Sequence, residues 1–146
     1  MELTGDYRIP APREKVWNML NDPEVLRGCI PGCQELSGSP EDGFAASVKL
    51  KIGPVSATFA GAVTLSDLVP PESYRISGEG KGGVAGFAAG AADVHLAEDG
   101  GETVLSYKVD VKIGGKLAQL GSRLIKSTSD KLARQFFDCF AAKASS

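Results

Sequence analysis

The sequence of 146 residues lacks several features that would assign a function directly. It has one histidine, and no apolar run approaches the roughly 18 residues of a membrane-spanning helix. The start of the chain has neither a basic nor an apolar segment, so we expect no signal peptide. Sixteen basic and eighteen acidic residues leave a net charge of −2, and no predicted element collects a basic stripe. These absences predict a cytoplasmic protein with no nucleic-acid partner.

Cysteine is also scarce, and an odd count of three without an export signal predicts reduced thiols. Three residues separate Cys29 from Cys33, and Cys139 is distant in the chain. With His95 they would supply four zinc ligands in number, but their spacing matches no common zinc module. We therefore expect small buried hydrophobic cysteines and no metal site.

The length and the hydrophobic content of 42% are those of one globular domain, which we place over residues 1–146. Alternation over 3–9 predicts a strand with one buried face. Helical spacing then predicts a short helix over 12–20, and Asp22 and Pro23 are a cap and first turn for a second short helix.

The middle of the chain has a hydrophobic period of two. Apolar residues alternate from Gly43 to Leu65 around a turn at Gly53-Pro54, which predicts a long hairpin. Further strands are expected from Tyr74, over 87–96 and over 103–113. After Gly114-Gly115 the period changes to 3.6, which predicts one long helix over about 116–143, interrupted in its apolar stripe by the polar segment 126–130.

This order of elements predicts an α+β fold. Strands joined by hairpins form an antiparallel sheet, here of about six or seven strands. The long C-terminal helix must bury its apolar stripe against that sheet, and a curved sheet wrapped around a helix leaves space between the two layers. The small residues of 87–92 favour either a cavity floor or close helix–sheet packing.

This arrangement resembles the START-like (SRPBCC) helix-grip superfamily, which includes birch-pollen allergens and polyketide cyclases. Within it, the sequence is similar to the CoxG family of carbon monoxide dehydrogenase subunits from about residue 2 to residue 142. The motifs that carry the similarity are DPEVL at 22–26, CIPGC at 29–33, GPVSATF at 53–59, GEGKGG at 78–83 with GF at 86–87, and GGKLAQLGSR at 114–123.

The resemblance implies a non-catalytic accessory protein of an aerobic molybdenum-containing CO dehydrogenase or a related hydroxylase. It implies an apolar lipid or quinone-like molecule as ligand rather than a cofactor, and recruitment of the enzyme to the inner face of the cytoplasmic membrane by peripheral contact. Many members of the family carry a membrane-reaching tail, and we expect none within this chain, which stops at Ser146.

A mostly apolar cavity is what such a ligand requires. We predict that eleven apolar side chains form its wall. They are Leu26, Ile30, Val48, Leu50, Phe59, Val63, Phe87, Ala89, Leu117, Leu120 and Leu124. The choice depends on strand register, because a shift of one residue exchanges the two faces of a strand.

Two alternatives stay open. The first is an assembly or recruitment factor that binds no ligand. The second is a small cyclase- or hydratase-like enzyme, for which Ser127, Thr128 and Asp93 are the candidate polar groups inside the cavity.

Other motifs have plain structural interpretations. Gly78-x-Gly80-x-x-Gly83 fits the dinucleotide-binding pattern, but it lies in a hairpin-rich region and not in a βαβ unit. His95 and Asp93 alternate on one strand, which predicts a surface pair on its outer face. Basic residues of the terminal helix predict a solvated face, or alternatively a surface for an acidic partner or membrane. Tyr7 and Trp17 are expected in the core.

Overall fold

The computed structural model describes all 146 residues and confirms the predicted fold, with an open, curved, seven-stranded antiparallel sheet and a long C-terminal helix. The strands are β1 (Glu2–Ile9), β2 (Cys33–Ser39), β3 (Gly43–Ile52), β4 (Val55–Val69), β5 (Ser73–Lys81), β6 (Phe87–Asp99) and β7 (Glu102–Gly114). Their order across the sheet is β1-β7-β6-β5-β4-β3-β2. From β2 to β7, each strand therefore pairs with the next strand of the chain in a hairpin. β1 pairs with β7 and forms one edge of the sheet.

Two short helices follow β1, namely α1 (Arg13–Leu20) and α2 (Pro23–Cys29). The predicted cap of α2 is present, because the Glu24 N–H donates to Asp22 Oδ1 over 2.9 Å. None of the helices combines the length and hydropathy needed to span a membrane.

The C-terminal helix α3 (Ser122–Ala144) begins six residues later than predicted. The preceding segment Gly115–Leu120 is a 3-10 helix, and Gly121 then adopts a φ of 88°. That φ lies outside the helical region, so it separates the two helices, although the apolar spacing continues through both.

One face of the sheet, called the inner face here, lies against α3. The register pairs Val63 with Gly78, Ile76 with Ala92, and Ala92 with Val109. Even residues of β3, β5 and β6 therefore share the inner face with odd residues of β1, β4 and β7. The strand β2 was not among the predicted elements, because CQELSGS has little hydrophobic alternation and a bulge lies between Cys33 and Glu35.

The main core lies where α1, α2 and the C-terminal half of α3 meet the sheet. Ile9, Val16, Leu96 and Phe140 are fully buried there. Thr103 is the buried polar side chain of the protein, and its hydroxyl donates to the Ala11 carbonyl over 2.8 Å. Burial of that hydroxyl is thus compensated by a hydrogen bond.

The expectation of three reduced cysteines is wrong for two of them. Cys29 at the end of α2 and Cys139 on α3 form a disulfide, with Cα atoms 5.4 Å apart. They are 110 residues apart in the sequence, so only the packing of α2 against α3 brings them together. Cys33 is free and half-buried.

Candidate functional site

An apolar cavity of about 420 Å³ lies between the inner face of the sheet and α3. Of its 19 lining residues, 17 are hydrophobic. They are Leu3, Leu20, Leu26, Ile30, Phe44, Val63, Leu65, Tyr74, Ile76, Ala92, Val94, Leu105, Tyr107, Val109, Ala133, Phe136 and Phe137, with Ser129 and Asp130 as the others. The volume lies within the range of about 300–1,000 Å³ that is typical of small-molecule sites.

A smaller space of about 180 Å³ continues beneath the N-terminal half of α3. Leu3, Val109 and Ser129 line both spaces, and Thr128 lines the smaller one. The polar gap in the apolar stripe of α3 therefore lies where the two spaces meet.

Asp130 contributes the carboxylate of the cavity wall. Lys126, one helical turn earlier, donates to Asp130 Oδ2 over 3.1 Å, and both side chains reach solvent. The carboxylate therefore keeps a counter-charge at the rim of the apolar space, which lowers the cost of its position there.

Tyr107 places a hydroxyl in the same region. Its ring lies over Gly5 of β1, where a Cβ would come within 2.6 Å of Tyr107 Cζ. Gly5 is thus required for this position of the ring. Burial, with smaller contributions from Tyr7 and Asp130, raises the pKa of Tyr107 to about 12. The phenol is therefore neutral at physiological pH and retains its O–H as a donor.

Aromatic rings surround the rest of this wall. Phe137 stacks on Tyr7 with ring centroids 4.3 Å apart, and Tyr107 lies 6.2 Å from each of these two rings. On the sheet side, Tyr74 is buried and packs edge-on against Trp17 at 5.3 Å. Burial raises the pKa of Tyr74 as well. The prediction that Trp17 packs with the core is confirmed. Tyr7 is half-buried and stacks on Phe137, which packs against the core.

Four of the eleven predicted wall residues line these two spaces. Leu26, Ile30 and Val63 line the larger space, and Leu117 lines the smaller one. The other seven lie elsewhere. They are Val48, Leu50, Phe59, Phe87, Ala89, Leu120 and Leu124.

The prediction that Phe87 and Ala89 face the cavity is wrong. Even residues of β6 face α3, so Phe87 and Ala89 share the outer face with Asp93 and His95. Phe87 is 41% exposed. The Ala/Gly composition of the strand offers no contrast between its faces, so hydrophobic alternation could not set its register.

The predicted wall residues nearest the N-terminus of α3 are packed instead. Phe59, Ala85 and Leu117 form a second buried cluster, here called the tip cluster, and Leu50 and Leu120 pack on it. Leu124 lies against the Gly53 turn, and half-buried Val48 pairs with Phe59 across the sheet. The inward direction of these side chains was predicted, but Phe59, Leu50 and Leu120 pack in or on the tip cluster and line neither space, whereas Leu117 packs there and also lines the smaller space.

Sequence reasoning missed most of the aromatic wall. Phe44, Tyr74, Ile76 and Phe136 line the cavity and are not among the eleven predicted wall residues. Phe137 lies beside the apolar stripe of α3 and was not predicted. The positions of Asp93 and His95 could have identified the inner face of β6. If these odd-numbered polar residues face solvent, the even-numbered Ala92 and Val94 must face inward.

The other predicted polar candidates are mostly outside the cavity. Asp93 accepts from Arg75 over 2.8 Å on the outer face and His95 is exposed there, so the predicted surface position is confirmed with Arg75 as the partner of Asp93. Ser127 donates to the Leu124 carbonyl and lines neither space. Gly78 and Gly80 lie in β5, which is followed by a strand rather than by a Rossmann helix.

A larger concavity of about 680 Å³ lies over Ala89 and Ala91. Its lining includes the charged residues Arg75, Asp110 and Lys112. The cavity under α3 is the better candidate site for an apolar molecule, because its lining is almost wholly hydrophobic.

Solved structures similar to this chain share its fold. A conserved protein from Geobacillus kaustophilus superimposes with a TM-score of 0.93 at 27% identity, with 99% of this chain and 95% of that chain covered. A START superfamily protein from Mycobacterium smegmatis gives 0.71 at 14% identity, covering 99% and 97%. None of the curated proteins matches the chain in sequence.

The remaining comparison concerns families. Residues 5–145 match the CoxG family of carbon monoxide dehydrogenase subunits, which is nearly the whole length. The match covers the elements that form the cavity, from the second half of β1 to α3. The chain therefore belongs to the carbon monoxide dehydrogenase CoxG family.

Proposed function

We propose that this chain is a non-catalytic accessory protein of a molybdenum-type CO dehydrogenase system that carries an apolar, quinone-like lipid in the cavity under α3. The observation that carries the proposal is the cavity itself, with 17 hydrophobic residues among the 19 that line it. Family membership supports the dehydrogenase as the partner system.

An unfilled apolar cavity lowers stability by about 24 cal/mol per Å³ in core-truncation series. A space of about 420 Å³ is therefore costly to keep in a small domain unless a ligand fills it. Few polar groups with defined positions are also typical of such sites, where they orient the ligand.

The polar groups suit a molecule that has carbonyl oxygens on an apolar ring. The Tyr107 phenol remains protonated and can donate a hydrogen bond, and the Ser129 hydroxyl is a second donor on α3. We place the quinone ring between these donors, with the aromatic wall formed by Phe136 and Phe137 against its face.

We propose no catalytic role for the cavity. Of the residues considered for a cyclase- or hydratase-like reaction, Thr128 lines the smaller space, whereas Asp93 and Ser127 lie outside both. The carboxylate at the wall, Asp130, is engaged with Lys126.

The first experiment is native mass spectrometry of protein purified from its own host without detergent, followed by solvent extraction. We expect a stoichiometric isoprenoid quinone or related lipid. A mass equal to that of the bare chain, unchanged after incubation with quinones, would contradict the proposal and favour recruitment without a ligand.

A second experiment uses the single tryptophan. Trp17 contacts Tyr74, which lines the cavity, so a bound quinone should quench Trp17 fluorescence. Ala92→Leu places three more carbons inside the cavity and should abolish saturable quenching. Ala91→Leu, one residue earlier on the outer face, is the matched control and should leave quenching unchanged. Equal loss in both variants would count against the cavity as the site.

A further inference from the structure

The two ends of the molecule carry opposite charges, which the net charge of −2 conceals. At one end, six basic and no acidic residues lie in three segments, here called the tip: 49–54, 81–87 and 112–123. At the other end, seven acidic and no basic residues lie in the turns 40–42, 67–72 and 98–102. Successive hairpins place each set of segments at one end of the sheet.

The basic residues of the tip are mostly unpaired. They are Lys49, Lys51, Lys81, Lys112, Lys116 and Arg123. Only Lys81 has a carboxylate within ion-pair distance, that of Glu79 at 3.6 Å. At the acidic end, by contrast, Arg8 pairs with Asp99 and Glu102. The positive charge of the tip is therefore available to an external anionic surface.

The tip also presents apolar side chains to water. Val84 is 85% exposed in the 3-10 helix Gly83–Ala85, and Phe87 is 41% exposed at the start of β6. Lys81 precedes Val84 in the same segment, and Lys116 lies in the 3-10 helix Gly115–Leu120, which contacts Gly83–Ala85. Apolar side chains projecting among unpaired cations are typical of surfaces that enter the headgroup region of a bilayer.

We propose that the tip docks on a bilayer surface that contains anionic phospholipids. Val84 and Phe87 enter the headgroup boundary, and the surrounding lysines and Arg123 contact the phosphates. An acidic protein would also match the charge, but a stable protein interface buries about 800 Å² on each partner, and the protruding apolar part here is two side chains. A bilayer can accept such a tip without a complementary pocket.

The position of the tip also connects docking with the cavity. Ile113 and Leu117 belong to the tip segment 112–123 and line the smaller space under α3. Docking would therefore bring that end of the cavity to the lipid surface. This connection rests on the proposed function, whereas docking itself needs no cargo.

The test is co-sedimentation of the ligand-free protein with vesicles. We expect binding to vesicles of phosphatidylglycerol and phosphatidylcholine, weakened by salt, and none to vesicles of phosphatidylcholine alone. Lys116→Gln with Arg123→Gln should lower the partition coefficient about 25-fold, because each basic residue contributes about fivefold. The matched control, Lys131→Gln with Arg134→Gln further along α3, should change it less than about twofold.

The apolar part is tested separately. Val84→Ser should weaken binding about tenfold, since burial of a valine side chain is lost. Leu68→Ser removes an exposed apolar side chain at the acidic end and should have no effect. The proposal is overturned if the protein ignores anionic vesicles, or if the tip variants and their controls bind equally. Either result leaves quinone binding in solution, measured by Trp17 quenching, as a separate question.

Discussion

The space between the sheet and α3 is empty beside the middle of the helix and filled at the tip cluster, ahead of the helix N-terminus. Both regions are built from inward residues of the same strands, and both are apolar. At the filled end, loop segments fold inward, so that Ala85 and Leu117 meet Phe59 in the tip cluster. In the cavity, aromatic rings pack along the edges, and small side chains such as Ala92 and Ala133 line the gap from the sheet and from the helix. An inward apolar side chain therefore contributes either packing or a cavity wall, depending on what lies opposite.

The largest expected effect comes from releasing α2, which carries Leu26 and leads into Ile30 at one end of the cavity. Cys139→Ser removes the disulfide that ties α2 to α3 and should lower the free energy of unfolding by about 2–4 kcal/mol in urea titrations. Cys33→Ser is the control and should change it by less than about 0.5 kcal/mol. Three alkylatable thiols in the unreduced protein would show that the bond is absent.

Matched truncations compare the two regions directly. Phe59→Leu in the tip cluster should cost about 2 kcal/mol, because the buried ring packs against its neighbours and lines neither space. Phe44→Leu in the cavity wall should cost about 1 kcal/mol, because that ring already faces empty space on one side. Equal costs in thermal or urea unfolding would mean that the cavity is closed in solution.

Replacing alanine by leucine in each region tests the same difference by adding volume. The loss of stability should again be larger in the tip cluster than in the cavity. Ala85→Leu overpacks the tip cluster and should cost about 1–3 kcal/mol. Ala133→Leu extends into the cavity from α3, where leucine is also a good helix former, and should cost less than about 0.5 kcal/mol. Calorimetric unfolding of both variants measures this difference. A large loss for Ala133→Leu would contradict an open cavity.

The smallest effect concerns the phenol at the cavity wall. The pKa of Tyr107 is raised from 10.0 to about 12, so its contribution to stability is complete below pH 10 and is lost as the pH rises towards 12. Tyr107→Phe should therefore reduce the loss of stability across that window. Urea unfolding at several alkaline pH values measures it, with tyrosinate absorbance reporting the titration. An unchanged alkaline profile would indicate that Tyr107 is solvated.

Much of the fold could be predicted from local patterns. Strict alternation identified β3, β4 and β7 with their inner faces, and the Asp22-Pro23 pair identified the start of α2. These assignments succeeded because period and capping are properties of a few neighbouring residues. The cavity was predicted less well, because the Ala/Gly strand β6 offers no contrast between its faces and because alternation says nothing about the distance to the opposite layer.

The amino-acid pattern alone therefore specified the elements, their order and most of their buried faces. The tertiary structure decided three further things. It left the larger cavity beside some inward residues and packed others in the tip cluster, it joined Cys29 to Cys139, and it delayed the start of α3 until after Gly121. The first two depend on contacts between residues that are distant in the chain. The third depends on the positive φ of Gly121, a conformation that glycine can adopt but that its presence in the sequence does not predict. The charge difference between the two ends has the same origin, because hairpin connections gather scattered residues at opposite ends of the strands.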